Sequence, residues 1–243
     1  MSDAAIHVEG LTYAYPGGRL ALDSVTFGVG SGECVGLVGP NGAGKTTLFL
    51  CLAGVYARRA GAVRVAGLDP GKKEERRRLP AHLGIVFQNS DDQLFNATVL
   101  DDVAFGPLNL GLPPDEVRAR VAEALGRVGL SGFEERVPFH LSGGEKRRVA
   151  LAGVLAMRPE VLLLDEPSIH LDPRGRRQFI QLIQEVGGTR LIASHDLELV
   201  LETCARCLVL DGGRVVAEGP ARKLLADAAL MEAHGLEVPY SLR

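Results

Sequence analysis

Gly39-Pro40-Asn41-Gly42-Ala43-Gly44-Lys45-Thr46 follows the short apolar run Cys34-Val35-Gly36-Leu37-Val38 and leads into Lys45 to Leu52, which has helical character. The pattern is G-x-x-x-x-G-K-[ST] set between a strand and a helix, and its mechanics are explicit. Glycines let backbone N–H groups converge on phosphate oxygens, and the dipole of the following helix adds to their attraction. Lys45 is placed to reach β- and γ-phosphates, and the Thr46 hydroxyl to ligate Mg²⁺. A glycine turn that happens to precede a lysine is the plain alternative. The strand–loop–helix context argues for phosphate binding.

Working outward, Val161-Leu162-Leu163-Leu164-Asp165-Glu166 sets two carboxylates at the end of a buried strand, where ligands bind in open parallel sheets. Asp165 fits the acid that organises Mg²⁺, and Glu166 a base or orienter for attacking water. Without the phosphate loop, an Asp-Glu pair there would read as a solvated strand end. Before the loop, Ile6 to Tyr15 and Leu22 to Val29 are β-rich runs separated by Pro16-Gly17-Gly18. Val63 to Ala66 and Gly84 to Phe87 look like further strands, and helix-like segments then dominate from about Gln93 to Met157. From Val161 strand and helix alternate again, and Asp211-Gly212-Gly213 turns the chain into a hairpin with Arg214 to Glu218. The expected fold is an α/β core with a mainly parallel sheet, an antiparallel β margin and an inserted α-helical subdomain. Its boundaries are set at about 1–88 and 159–243 for the core and 89–158 for the insertion.

Composition narrows the rest. The 243 residues are 46% hydrophobic and 23% charged, with 27 Lys+Arg against 30 Asp+Glu, a globular balance at formal charge −3. No basic excess points to a nucleic-acid backbone. Apolar runs are far short of the ~20 residues that span a bilayer, and Met1-Ser2-Asp3-Ala4 does not open a secretory signal. The expected compartment is the cytosol. Cys34, Cys51, Cys204 and Cys207 are too scattered for a disulfide framework, and the Cys204-x-x-Cys207 pair reads as buried thiols.

Leu141-Ser142-Gly143-Gly144-Glu145 is not explained by either site. Ser142 with Glu145 forms a capping box opening a helix through Met157. Two glycines inside a helix start cost up to ~1 kcal/mol each relative to alanine, which makes sense where backbone must approach an anion.

With these residues in place the chain resembles the ATP-binding-cassette ATPases over nearly its whole length. Leu141–Glu145 resembles their signature sequence, Gln88 their Q-loop glutamine, Ser168-Ile169-His170-Leu171-Asp172 their D-loop and Ser194-His195-Asp196 their switch histidine. Tyr15 sits where the family stacks an aromatic ring on adenine. Gln88-Asn89-Ser90-Asp91-Asp92-Gln93-Leu94-Phe95 and Val103-Ala104-Phe105-Gly106-Pro107 resemble, more narrowly, the ATPases of energy-coupling-factor importers, those of cobalt and nickel uptake above all. Glu145 stands where the commonest signature has glutamine, and Ile169-His170 where many D-loops have a small pair.

The resemblance implies a P-loop NTPase core and a peripheral subunit at the cytoplasmic face of the membrane. Two ATPase subunits, alike or related, would face head to tail, with a transmembrane coupling subunit and a substrate-capture protein and no nucleic acid. ATP and Mg²⁺ would lie between Gly39–Thr47 of one chain and Ser142, Gly143 and Gly144 of the other. Lys45, Glu166, His195 and Gln88 are the expected catalytic residues, Thr46, Gln88 and Asp165 the metal ligands, and Tyr15 and Thr47 further nucleotide contacts. Asp91, Asp92, Asp101 and Asp102 would rim the groove that receives the partner's coupling helices. A cassette ATPase that remodels protein or nucleic-acid complexes is the alternative from another class. A P-loop kinase leaves Ser142–Glu145 and His195 without a role. His170 carries no assigned contact, Lys72 to Arg78 reads as a solvated face, and His82, His140 and His234 lack the spaced partners of a metal site.

Overall fold

In the computed structural model, which describes residues 4–169 and 171–243, strands β1 (Ala4–Ala14) and β2 (Leu20–Gly30) pair antiparallel. Gly17 and Gly18, both at positive φ, make the turn between them. Ile6, Val8, Leu11 and Tyr13 of β1 are buried. The step of three from Val8 to Leu11 would throw the alternation out of phase, and a bulge at Gly10 (φ 59°) restores it.

Strand β3 (Cys34–Val38) leads through the glycine loop into helix α1 (Lys45–Leu52). Strand β4 (Ala60–Val65) then returns to the free edge of β1, giving the sheet order β2-β1-β4. Helix α2 (Lys73–Arg78) buries no residue, as a solvated charged face should. Strand β5 (Leu83–Val86) is followed by α3 (Val99–Asn109), α4 (Pro114–Arg127) and α5 (Gly143–Leu155). Then come β6 (Val161–Asp165), α6 (Pro173–Val186), β7 (Thr189–Ala193), α7 (Leu197–Thr203), β8 (Arg206–Asp211), β9 (Arg214–Pro220), α8 (Ala221–Leu225) and α9 (Ala228–Ala233). No helix among the described residues is long and apolar enough to cross a membrane. His170 lies outside the described residues.

The second sheet runs β5-β6-β7-β3-β8-β9, parallel except for the β8–β9 hairpin. Its central strands are continuous apolar runs because both faces are covered. Along β6, Val161 and Leu163 join a core with α1 and the antiparallel sheet, while Leu162 and Leu164 join a second core with the helices. Helices α3, α4 and α5 come between β5 and β6 and pack on one another.

The strand that carries the phosphate loop is held unusually close to its neighbour. A methyl group added at Gly36 in β3 would lie 2.4 Å from Val200 Cγ1 of α7 and 3.3 Å from Cys207 Cβ of β8. Gly36→Ala is therefore expected to destabilise the chain by about 1–3 kcal/mol through overpacking. A lowered denaturation midpoint at unchanged m-value would show it, and an unchanged midpoint would refute it.

Candidate functional site

The glycine loop emerges at the C-terminal end of β3, and its backbone is shaped by close approach. A Cβ on Gly39 would lie 2.0 Å from the Leu210 carbonyl of β8, so only glycine fits there. Gly42, at φ 81°, has nothing within 4 Å of the corresponding position and faces open space. Beside this loop is a cavity of about 550 Å³ lined by Tyr15, Arg19, Asn41 to Thr47, Gln88, Asp165, Glu166, Gly212 and Gly213. Residues far apart in sequence thus meet around one space.

Lys45 is buried at its floor, with Nζ donating to the carbonyls of Gly39 (2.7 Å) and Pro40 (3.2 Å) and standing 3.9 Å from Glu166 Oε1. Burial pulls its pKa down, against the upward pull of Glu166 and Asp165. Asp165 accepts from the Thr46 hydroxyl through Oδ2 at 2.7 Å, while its buried Oδ1 has no partner. Burial raises the Asp165 pKa, and the Thr46 hydrogen bond only partly offsets it. An orphaned carboxylate oxygen beside a threonine hydroxyl, with Gln88 on the same wall, fits a hard divalent cation. Mg²⁺ needs only a few protein oxygens because it keeps several waters. Thr46, Asp165 and Gln88 are the side chains that would hold it.

Glu166 is the most constrained acid in the site. It is buried, sits at φ 47°, and accepts from the His195 backbone N–H (3.1 Å) and from the Ser194 hydroxyl (3.2 Å). The His195 ring nitrogen Nδ1 lies 2.7 Å from Glu166 Oε2. His195 itself is exposed and borders a neighbouring cavity with Gly39, Pro40 and Asn41. The next residue, Asp196, is clamped by Arg176 through both carboxylate oxygens and receives the Ser168 hydroxyl at 3.1 Å. Burial would raise the Asp196 pKa, but the Arg176 pairing prevails and holds it low.

Tyr15 donates to or accepts from the Thr47 hydroxyl at 2.7 Å. Its ring meets Tyr13 and Tyr56 edge-on at 5.3 and 6.0 Å, and those two stack on each other at 4.9 Å. The motif reading did not reach Arg176, Tyr13 or Tyr56, which hold Asp196 and Tyr15 in place, and it named Ser194 without its bond to Glu166.

Ser142, Gly143 and Gly144 do not line the cavity. They open α5 on the surface, with the Ser142 hydroxyl and the Glu145 carboxylate closing a reciprocal capping box. An added Cβ at Gly143 meets nothing within 4 Å, and one at Gly144 only Leu171 Cδ2 at 3.8 Å. Their glycines are not required by packing within the chain.

The remaining candidates are structural. His82 bonds Glu160 and His234 bonds Asp211, each through Nδ1. Cys204 and Cys207 are buried, and burial pushes the Cys207 thiol up to about 12. Among the described residues no group of three or more His, Cys, Asp and Glu is spaced to hold a metal ion.

The model of the ABC transporter family matches residues 22–169, which include the phosphate loop, the Ser142 helix and the Asp165-Glu166 strand. The chain belongs to the ABC transporter family. Among its relatives, the energy-coupling factor transporter ATP-binding protein EcfA of Methanothermobacter thermautotrophicus is 48% identical over 238 residues, covering 96% of this chain and 76% of that one. CbiO1 of Clostridium perfringens, part of the ABC transporter complex CbiONQ, matches in structure with TM-score 0.84 and 37% identity over 96% of this chain and 94% of that one. A dimeric ATP-binding cassette in a post-hydrolysis state with ADP and phosphate matches with TM-score 0.80 and 27% identity, covering 89% of this chain and 98% of the other. The fold is therefore the P-loop NTPase cassette, and the chain is an ABC transporter ATPase subunit.

For this cassette, Glu166→Gln keeps the size of the side chain but removes a carboxylate. ATP binding should stay nearly intact while turnover falls roughly 10²–10⁴-fold, the range for a lost acid–base group. Near-normal turnover would move the role away from Glu166.

Proposed function

We propose that this chain is the ATP-hydrolysing motor of a membrane importer of the energy-coupling-factor type, working as a head-to-tail pair at the cytoplasmic face of the membrane. The observation that carries the reading is the separation of the two anion-binding elements. The phosphate loop faces the chain's own cavity, whereas Ser142–Gly144 present capped, uncrowded backbone to solvent. A second cassette, the same chain or a related one, would bring its own Ser142-type helix over this chain's nucleotide. The dimeric cassettes among the structural relatives support that arrangement. Likeness to EcfA and CbiO1 supports the importer class, with a transition-metal ion or another micronutrient as cargo.

In this reading ATP lies along Gly39–Thr47 with its base toward Tyr15. Lys45 turns from the Gly39 and Pro40 carbonyls onto the β- and γ-phosphates. Glu166 orients the attacking water, and His195, fixed by its bond to Glu166, holds the γ-phosphate. Mg²⁺ seated at Thr46, Asp165 and Gln88 would supply charge neutralisation to the transferring group. Preorganised charge, rather than covalent chemistry, accounts for the rate.

The composite site is testable by mixing. Lys45→Ala and Ser142→Arg chains should each be inactive alone, and together should regain part of the activity through dimers with one intact site. Full activity from an isolated monomer at high dilution would overturn the arrangement.

Residues 89–158 would act as the subdomain that meets the membrane. A cavity of about 520 Å³ opens between α3, α5 and the loop after β5, lined by Phe87, Leu94, Phe95, Phe105 and Met157 among others. Phe95 and Phe105 meet edge to face at 5.0 Å yet remain 62% and 48% exposed. The acids near it are less uniform than a charged rim would require. Asp91 pairs with Lys146 at 2.7 Å, and Asp101 accepts from Thr98 at 2.7 Å. Asp102 is buried, with Oδ1 accepting from Phe95, Asn96 and the Asn96 amide, and its buried Oδ2 has no partner. Asp92 lines the groove, and Asp102 lies at its wall. A transmembrane subunit offering basic residues would be matched here in register and partner choice. Asp92→Lys combined with Phe105→Ser should preserve folding but weaken co-purification with a co-expressed energy-coupling-factor transmembrane subunit, more so at low salt. Unchanged assembly at both salt concentrations would place the docking surface elsewhere.

A further inference from the structure

Arg147 lies in the first half of α5 and is 3% exposed. Its guanidinium bonds go to backbone carbonyls, Nη1 to Phe87 at 2.6 Å and Nη2 to Gln88 at 2.5 Å. The residue before it, Lys146, donates to Asp91 at 2.7 Å. Successive side chains of α5 thus grip the loop 87–91 at three points. From the other side, Gln93 accepts from the Phe87 N–H at 2.8 Å and donates to the Ile85 carbonyl at 3.0 Å.

Packing does not account for this residue. Taking a guanidinium out of water is costly, and an apolar side chain of similar length is often tolerated equally well or better in such a place. Burial depresses the Arg147 pKa, and the negative charge of Asp165 in the phosphate site opposes that depression. What a guanidinium supplies and a hydrocarbon cannot is a planar fork that fixes two consecutive carbonyls at once. Those carbonyls belong to Gln88, on the wall of the nucleotide cavity, and to the residue before it. At the start of the same helix stand Ser142, Gly143 and Gly144.

We propose that Arg147 is a positioning residue that locks the Gln88 loop to α5, so that the loop lining a subunit's own phosphate site and the surface it offers to a second cassette shift as one body. The inference rests on the composite-site reading above.

The test compares Arg147→Met, which keeps length and loses the donors, with Arg147→Lys, which keeps charge but not the fork, in the full chain. Arg147→Met should lower kcat about 10–100-fold with the ATP KM changed by less than about 3-fold, as for a misplaced rather than a missing contact. Amide hydrogen exchange in 87–91 should quicken roughly 10-fold or more, with β3 and β6 unaffected. Arg147→Lys should fall between Arg147→Met and the wild type on both measures. If Arg147→Met does not fold, the Lys variant alone decides: wild-type exchange in 87–91 would overturn the proposal. So would quickened exchange spread evenly over the core strands, because that marks general loosening. Loss of complementation in the Lys45→Ala and Ser142→Arg mixture, with 87–91 still loosened by Arg147→Met, would instead count against the composite site and leave the lock standing.

Discussion

Two adjacent carboxylates and a lysine are buried together at one end of a parallel sheet, and much of the cassette follows from keeping that arrangement stable. Asp165 and Glu166 are both inside, and alternation along the strand would send their side chains to opposite faces. The positive φ of Glu166, in a region costly for any residue other than glycine, redirects the chain at that point. The turn is held by a backbone bond from Glu166 to Ala193 at 2.8 Å and by carboxylate bonds from Ser194 and His195. Because Asp165 is in register with Ala193, β7 has to end where β6 ends, and Ser194 and His195 then fall beside Glu166. Lys45 comes from the other side, from the first turn of α1 that follows β3, and β3 pairs with β7. The order of the central strands, β6-β7-β3, is the order in which these charges must meet.

Sequence order reveals the parts of this arrangement more readily than their contacts. The phosphate loop, the Asp165-Glu166 strand end and the Ser142 cap are each local, since turn geometry, strand burial and a capping box act within a few residues. The strands of both sheets were legible for the same reason, through apolar runs and turn residues. The bond between Glu166 and His195 was not legible, because it depends on the register of two parallel strands joined through α6. Nor were the paired rings of Tyr13 and Tyr56, where the loop after α1 returns to the end of β1. Asp102 shows the opposite failure. An acid in the first turn of a helix reads as solvated, yet the chain folds Phe95 and Asn96 back over it and supplies three donors, which makes burial tolerable.

Glycine serves two different ends in this chain. Gly39 and Gly36 are needed because other atoms are too close, the Leu210 carbonyl in one case and Val200 in the other. These positions are explained by the fold of the single subunit, and they draw β3, α7 and β8 together under the phosphate loop. Gly143 and Gly144 have room for a side chain and helical geometry that any residue could adopt, and Gly there weakens the helix they begin. The capping box compensates by tying Glu145 to Ser142, and that bond holds the Glu145 carboxyl below its ordinary range and so in the charged form. A helix start that is stabilised by its cap, weakened by its glycines and left uncovered keeps its first turn open to solvent. The loop that Arg147 grips from further along the same helix lines the chain's own cavity. One rigid element therefore has an end directed outward and a side directed inward, and this is the geometry that two such chains need if each is to complete the other's site.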